Sequence, residues 1–223
     1  MFHDVDSAYG ETWAVGPGDV WAAGSLYRED TAGGYDSGHA LLLHYDGTTW
    51  SEVQLPLPAE ESYSRLTAVA VAADGTVWTG GIRASAGSSE EAFVQRRDPA
   101  GGWRQAAGGA SPGWVSELQA LPGSEALAVG ETQNPAVDPD GDYVLTLGAD
   151  GAFVRAEDPP GAGSLYGAAT DAEGRVWAVG AGGRSRLVPD GLRGRPRLTY
   201  HPPPRGHGLR GGSGGRRRSG TPL

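Results

Sequence analysis

Val20-Trp21-Ala22-Ala23-Gly24 is the first of four segments that follow one template, in which an apolar pair precedes small residues and a glycine. The other three are Val77-Trp78-Thr79-Gly80-Gly81, Ala126-Leu127-Ala128-Val129-Gly130 and Val176-Trp177-Ala178-Val179-Gly180. Their second residues are separated by 57, 49 and 50 positions. An aromatic residue after an Asp-Gly or Asp-Pro turn recurs with nearly the same period, at Trp50, Trp103 and Phe153. Two markers that share a period of about 50 residues predict an internal repeat.

Each repeat is predicted to contain four short antiparallel strands. Apolar runs such as Leu66–Ala70 lead through hairpin signals into the template segments, and glycine or proline interrupts every stretch long enough for a helix. Four strands at a period of about 40–50 residues are typical of a propeller blade. The sequence therefore predicts an all-β fold, a partial β-propeller with about three complete four-stranded blades and an incomplete fourth. The predicted blades span residues 9–54, 66–107, 118–157 and 165–191.

Tryptophan recurs at fixed positions of this template. Because the recurrence is in register, we expect these rings to pack between blades, and stacking on a sugar or a cation is the alternative. The tryptophans concerned are Trp21, Trp50, Trp78, Trp103 and Trp177.

The first repeat resembles the Val-Trp-Ala-Val-Gly repeat of many actinobacterial proteins, a kelch-like, galactose-oxidase-type β-propeller repeat. The resemblance rests on Val20–Gly24 and on the turn His44-Tyr45-Asp46-Gly47-Thr48-Thr49-Trp50. It covers residues 9–191 and implies a propeller fold. It also suggests export, although Met1–Gly10 has no apolar core of a signal peptide, so the sequence leaves the compartment open. The turn is similar to the Asp-box of sialidase-like propellers but lacks the spacer residue between Asp46 and Gly47, so it predicts a turn only.

Charge divides the chain at residue 191. The formal net charge is −9, yet residues 192–223 contain 8 Arg and no acidic residue. This stretch is dominated by Arg, Gly and Pro, and such a composition predicts a disordered tail. A shifted reading frame in a GC-rich gene is the favoured explanation of its composition. A solvated tail is the second explanation, and a nucleic-acid-binding tail is the least favoured of the three.

Composition excludes several classes of site and of protein. The chain has no Cys, which excludes disulfides, a thiol nucleophile, a cysteine-ligated zinc site and the Cys–Tyr copper centre of galactose oxidase. The longest apolar run is the six residues 68–73, too short to span a bilayer. We therefore predict neither a membrane span nor a cofactor other than a metal ion.

Three aspartates form the one candidate metal site. Asp138, Asp140 and Asp142 alternate along one loop, and carboxylates in this arrangement can converge on Ca²⁺. The spacing of glycine and acid departs from that of an EF-hand. A solvated acidic loop is the alternative interpretation.

The sequence contains no arrangement that identifies a catalytic centre. His39 and His44 are five residues apart on a predicted strand and so lie on opposite faces. We therefore predict a non-enzymatic scaffold that binds an unidentified protein or carbohydrate. A fragment of a propeller-type glycosidase or sialidase-like enzyme, and a truncated gene product without independent function, are the alternatives.

Overall fold

A computed structural model describes most of the chain as sixteen strands and no helix. The residues described are 12–26, 38–59, 61–87, 90–106, 113–121, 125–132, 142–147, 152–155, 165–171, 176–180, 183–188 and 197–201. The strands form four sheets, each with four antiparallel strands in chain order. This part of the chain contains no helix that could cross a membrane.

Each sheet is one blade and is built from consecutive strands. Blade 1 contains β1 (Thr12–Gly16), β2 (Asp19–Leu26), β3 (His39–Tyr45) and β4 (Trp50–Glu52). Blade 2 contains β5 (Glu61–Val71), β6 (Val77–Ser85), β7 (Glu91–Arg97) and β8 (Trp103–Gln105). Blade 3 contains β9 (Gly113–Leu121), β10 (Glu125–Thr132), β11 (Asp142–Leu147) and β12 (Phe153–Arg155). Blade 4 contains β13 (Leu165–Thr170), β14 (Val176–Gly180), β15 (Gly183–Val188) and β16 (Arg197–His201).

The repeat markers occupy the same places in successive blades. The template segments form the second strands β2, β6, β10 and β14, and the recurring aromatic residue opens the fourth strand of blades 1 to 3. The first strands of neighbouring blades contact one another, β1 with β5, β5 with β9 and β9 with β13. First strands that meet in this way lie at the inner edge of a propeller, nearest its axis. The predicted all-β propeller architecture is confirmed.

Hydrophobic cores lie between neighbouring blades, so the sheets of blades 2 and 3 bury both of their faces. One cluster joins blades 1 and 2 and includes Trp21, Leu66 and Phe93. A second joins blades 2 and 3 around Trp78, and a third joins blades 3 and 4 around Val129. Side chains alternate between the two faces of a strand, so neighbouring residues of β6, such as Val77 and Trp78, belong to different clusters.

The fourth sheet extends further than the sequence analysis expects. The segment 192–223 is predicted to be disordered, yet Arg197–His201 within it forms β16 and pairs with β15. Composition averaged over 32 residues conceals Leu198, Thr199 and Tyr200, which are residue types that favour strands. The edge of β15 supplies the backbone partners that this short segment needs. The rest of the tail lies outside the described residues, and the boundary at residue 191 stays a prediction.

Two template tryptophans are buried as predicted and pack against a nitrogen-containing side chain on the next strand, His44 or Arg96. Trp21 stacks on His44 with ring centroids 4.2 Å apart, and the guanidinium of Arg96 lies 5.6 Å from the centre of the Trp78 ring. In both blades the two residues are cross-strand neighbours. Trp50 departs from the expectation of burial, since 48% of its surface is exposed.

Candidate functional site

The first strands of blades 2, 3 and 4 each contain a β-bulge at the equivalent position. The sequence analysis does not predict it. In blade 2, Leu66 pairs with Gly81 and Ala68 pairs with Gly80, so Thr67 is an extra residue that pairs with neither. The same shift leaves Ser116 extra in β9 and Tyr166 extra in β13. Each is a β-bulge opposite the last two residues of the template segment. We call Thr67, Ser116 and Tyr166 the inner bulge site.

A close approach between strands explains why the template segment of blade 2 ends in glycine. A Cβ atom added to Gly81 would lie 1.9 Å from the carbonyl oxygen of Arg65, on the strand that carries the bulge. No real Cβ atom tolerates that separation from a backbone atom, so glycine alone fits here. Gly81 was therefore a sequence signal for the bulge in blade 2.

The three bulge residues have a common chemistry, because all of them carry a hydroxyl group. They are spaced at the repeat period, and in each case the preceding residue is a buried aliphatic side chain, Leu66, Val115 or Leu165. Thr67 and Ser116 are half-buried, whereas 61% of Tyr166 is exposed. A bulge re-aims one side chain relative to its neighbours and is over-represented next to binding sites.

Hydrogen bonds tie this site to the packing of neighbouring blades. The Thr67 hydroxyl donates across the blade boundary to the carbonyl oxygen of Val115, the residue just before the bulge in blade 3. Near it on β5, the Arg65 Nε atom is buried and has no hydrogen-bond partner among the described residues. A buried guanidinium donor without a partner is costly unless a ligand or water satisfies it. The inner bulge site thus holds three hydroxyl groups, and among the described residues of β5 a cationic donor without a partner precedes it in the chain.

A second polar cluster lies in blade 1, outside the inner bulge site. His44 Nε2 lies 2.9 Å from Asp19 Oδ1, and Trp21 Nε1 donates to the same oxygen at 3.0 Å. Sequence reasoning missed this contact, because Asp19 and His44 belong to different strands. A carboxylate–imidazole pair can serve acid–base chemistry, but here the ring is stacked on Trp21. Arg96 occupies the same position opposite Trp78, so the cluster belongs to the blade packing.

Asp46 forms the turn that the sequence predicts. Its Oδ1 atom accepts hydrogen bonds from the Thr48 hydroxyl and from the backbone N–H groups of Thr48 and Thr49. This is an Asx-type turn that closes the β3–β4 hairpin, with Gly47 at φ 95°. These donors, the Thr48 hydroxyl first, lower the pKa of Asp46 from 3.8 to about 2.

We expect the Asp46 carboxyl to titrate near pH 2 in an NMR pH titration. The pKa of the folded state is the lower one, so ionised Asp46 favours folding above its unfolded value of 3.8, and this contribution is lost as the pH falls through about 2. Thr48→Val should raise the pKa towards 3.8, because it removes the hydroxyl donor. Thr49→Val is the matched control, since Thr49 donates through its backbone. Equal pKa values in both variants would contradict this assignment.

The predicted calcium site lies almost wholly outside the described residues. Asp138 and Asp140 are outside them. The backbone of Asp142 opens β11 and pairs with Glu131 of β10. Among the described residues no group of acidic or histidine side chains could hold a metal ion. Calcium binding by Asp138, Asp140 and Asp142 stays a prediction.

Solved structures with the same fold include two lyases. Streptogramin B lyase matches with a TM-score of 0.56 at 14% identity, over 92% of this chain and 57% of the lyase chain. A catalytically inactive virginiamycin B lyase from Staphylococcus aureus, solved with quinupristin, matches with a TM-score of 0.51 at 13% identity, over 88% of this chain and 71% of that one. The sequence matches no family model and no curated protein. This chain thus spans little more than half the length of streptogramin B lyase.

These matches correct the prediction that the chain is not an enzyme. That prediction rested on the absence of a recognisable catalytic motif, but proteins of the same fold are named as lyases. Propeller enzymes assemble sites from residues of several blades, which a motif search along one segment does not detect. At 13–14% identity the likeness extends to the fold and no further. The chain therefore has the β-propeller fold.

Proposed function

We propose that this chain is a ligand-binding propeller domain of the kelch-like kind, with its site at the inner bulge site. The observation that supports this most directly is the recurrence of one bulge with a hydroxyl residue in three consecutive blades. In each blade the residue before the bulge fills the core with a buried aliphatic side chain, and the hydroxyl residue follows it.

The chemistry of the site favours a carbohydrate ligand. Hydroxyl groups donate and accept hydrogen bonds, which suits the hydroxyl-rich surface of a sugar. The exposed ring of Tyr166 adds an apolar face with a polar tip, a combination that suits sugar rings. The unsatisfied Nε donor of Arg65 supplies a further contact for a carboxyl or hydroxyl oxygen.

The test is calorimetric titration of the full chain with pentasaccharides of glucose, xylose and N-acetylglucosamine. We expect at least one probe to bind, and Tyr166→Phe to weaken its binding about two- to tenfold, the loss expected for one hydrogen bond. Tyr45→Phe is the matched control. It removes a hydroxyl that bonds to the Gly47 carbonyl oxygen in blade 1, away from the inner strands.

Two outcomes would contradict the proposal. One is that no pentasaccharide binds, and the other is that Tyr166→Phe and Tyr45→Phe bind the probe as the unmodified chain does. Mass spectrometry of the probe after incubation would show in the same samples whether it is chemically converted.

A further inference from the structure

Among the described residues, the large hydrophobic side chains that are exposed all lie on blades 1 and 4. Val15 and Trp50 belong to blade 1, with exposed fractions of 51% and 48%. Tyr166 and Val179 belong to blade 4. In the described parts of blades 2 and 3 no large hydrophobic residue is exposed. Exposed apolar surface confined to the ends of a repeat array indicates surfaces that bind another sheet.

Each blade has two distinct faces. The backward face, which packs on the preceding blade, carries Leu66 and Phe93 in blade 2. The forward face, which packs on the following blade, carries Trp78 and small side chains such as Ala70. A blade boundary is therefore a contact between unlike surfaces, and the same kind of contact occurs three times in this chain.

Trp50 lies on the backward face of blade 1. It pairs with Tyr45, as Trp103 pairs with Arg97 in blade 2. In blades 2 and 3, each of which has a preceding blade, the equivalent aromatic residue packs on that blade. Trp103 packs against the cluster that contains Trp21, and Phe153 meets the Trp78 ring edge-on at 5.7 Å. Trp50 therefore occupies a position that in blades 2 and 3 lies in a blade boundary, but in blade 1 it is exposed to solvent.

Val179 lies on the forward face of blade 4. Its neighbours Val176 and Ala178 belong to the cluster shared with blade 3, so Val179 and Trp177 lie on the opposite face of the sheet. Trp177 occupies the template position of Trp21 and Trp78. Phe153 of the following blade packs on Trp78, and Trp103 packs against the cluster that contains Trp21. The forward face of blade 4 is therefore equivalent to the faces on which the aromatic residues of blades 2 and 3 pack.

We propose that the occupant of these faces is a second copy of this chain, bound head to tail, with blade 1 of each copy packed on blade 4 of the other. One chain carries both unlike halves of the boundary, so the exposed face of blade 1 in one copy matches the exposed face of blade 4 in the other. Each copy supplies four sheets, and two copies make an eight-bladed ring, within the common range of four to eight. A ring closed by twofold symmetry also avoids the open filament that head-to-tail contacts otherwise produce.

The first measurement is the molar mass of the full chain by sedimentation equilibrium over a range of concentrations. We expect twice 23.0 kDa. Trp50→Glu and Val179→Glu should each raise the dimer dissociation constant by at least about thirtyfold, because each places a charge in an apolar contact. Both residues are exposed in the single chain, so both variants should fold. Ser51→Glu is the matched control, because Ser51 is exposed on the same strand with its side chain on the other face of the sheet.

Mixing the two variants distinguishes a head-to-tail ring from other dimers. In the mixture one boundary combines both substitutions, while at the other boundary Trp50 and Val179 are both unsubstituted. We therefore expect the mixture to form a heterodimer at concentrations where each variant alone has the mass of one chain. A dimer joined through two copies of the Trp50 face would lose mass with Trp50→Glu but keep it with Val179→Glu, and that result would overturn the proposal. A single-chain mass for the unmodified protein at about 100 µM would also overturn it.

Discussion

Gly81→Ala should destabilise the propeller by about 3 kcal/mol or more, the upper range for overpacking in a core. The added Cβ atom would lie 1.9 Å from the Arg65 carbonyl oxygen and 3.0 Å from the Leu66 Cα atom. Both are backbone atoms of β5, so no side-chain rotation relieves the contact. Strand β5 would have to move away from β6, which disrupts the ladder beside the bulge. Urea unfolding followed by circular dichroism measures the change.

Gly102→Ala is the control, because it is the same substitution at a position where the added Cβ atom makes no close contact. Gly102 lies in the exposed turn before β8, and a Cβ atom there would meet nothing within 4 Å. We expect its free energy of unfolding to change by less than about 0.5 kcal/mol. If Gly81→Ala were as stable as Gly102→Ala, the close approach of β5 and β6 at the bulge would be wrong.

Trp78→Ala should cost about 3–5 kcal/mol, the range for truncating a large buried aromatic side chain. Trp78 is 1% exposed and belongs to the core between blades 2 and 3. Its ring receives the edge of Phe153 and the guanidinium of Arg96. Truncation therefore leaves a cavity and removes the partner of both groups. The same unfolding measurement detects the loss, and a melting temperature several degrees lower should accompany it.

Two further variants test how the loss of unfolding free energy depends on the burial of the ring and on its polar donor. Trp103→Ala should cost less than Trp78→Ala, because Trp103 is only half-buried at the edge of its cluster. Trp78→Phe should also cost less, since it keeps an aromatic ring and removes a buried indole Nε1 donor that has no hydrogen-bond partner within the described part of the chain. Equal losses for Trp78→Ala and Trp103→Ala would mean that the boundary between blades 2 and 3 is not packed around Trp78.

Much of the inner bulge site could not be predicted, although its signal was present. The terminal glycine of each template segment was visible in the sequence, but its role depends on the register between two strands. A bulge shows only when Leu66 and Ala68 are matched to Gly81 and Gly80. The candidate calcium loop shows the converse. Its spacing was visible, but spacing alone does not establish that three carboxylates converge.

The sequence by itself determined the blade, because the signals for a blade are local. Alternating apolar residues, Asp-Gly turns and a 50-residue period specify four short strands without reference to distant parts of the chain. Tertiary structure alone decided what equivalent residues do. Trp50, Trp103 and Phe153 open equivalent strands, yet Phe153 is buried, Trp103 is half-buried and Trp50 is exposed. The difference is whether another blade covers the sheet face, and burial by a neighbouring sheet is a property of packing between segments, which no local pattern encodes.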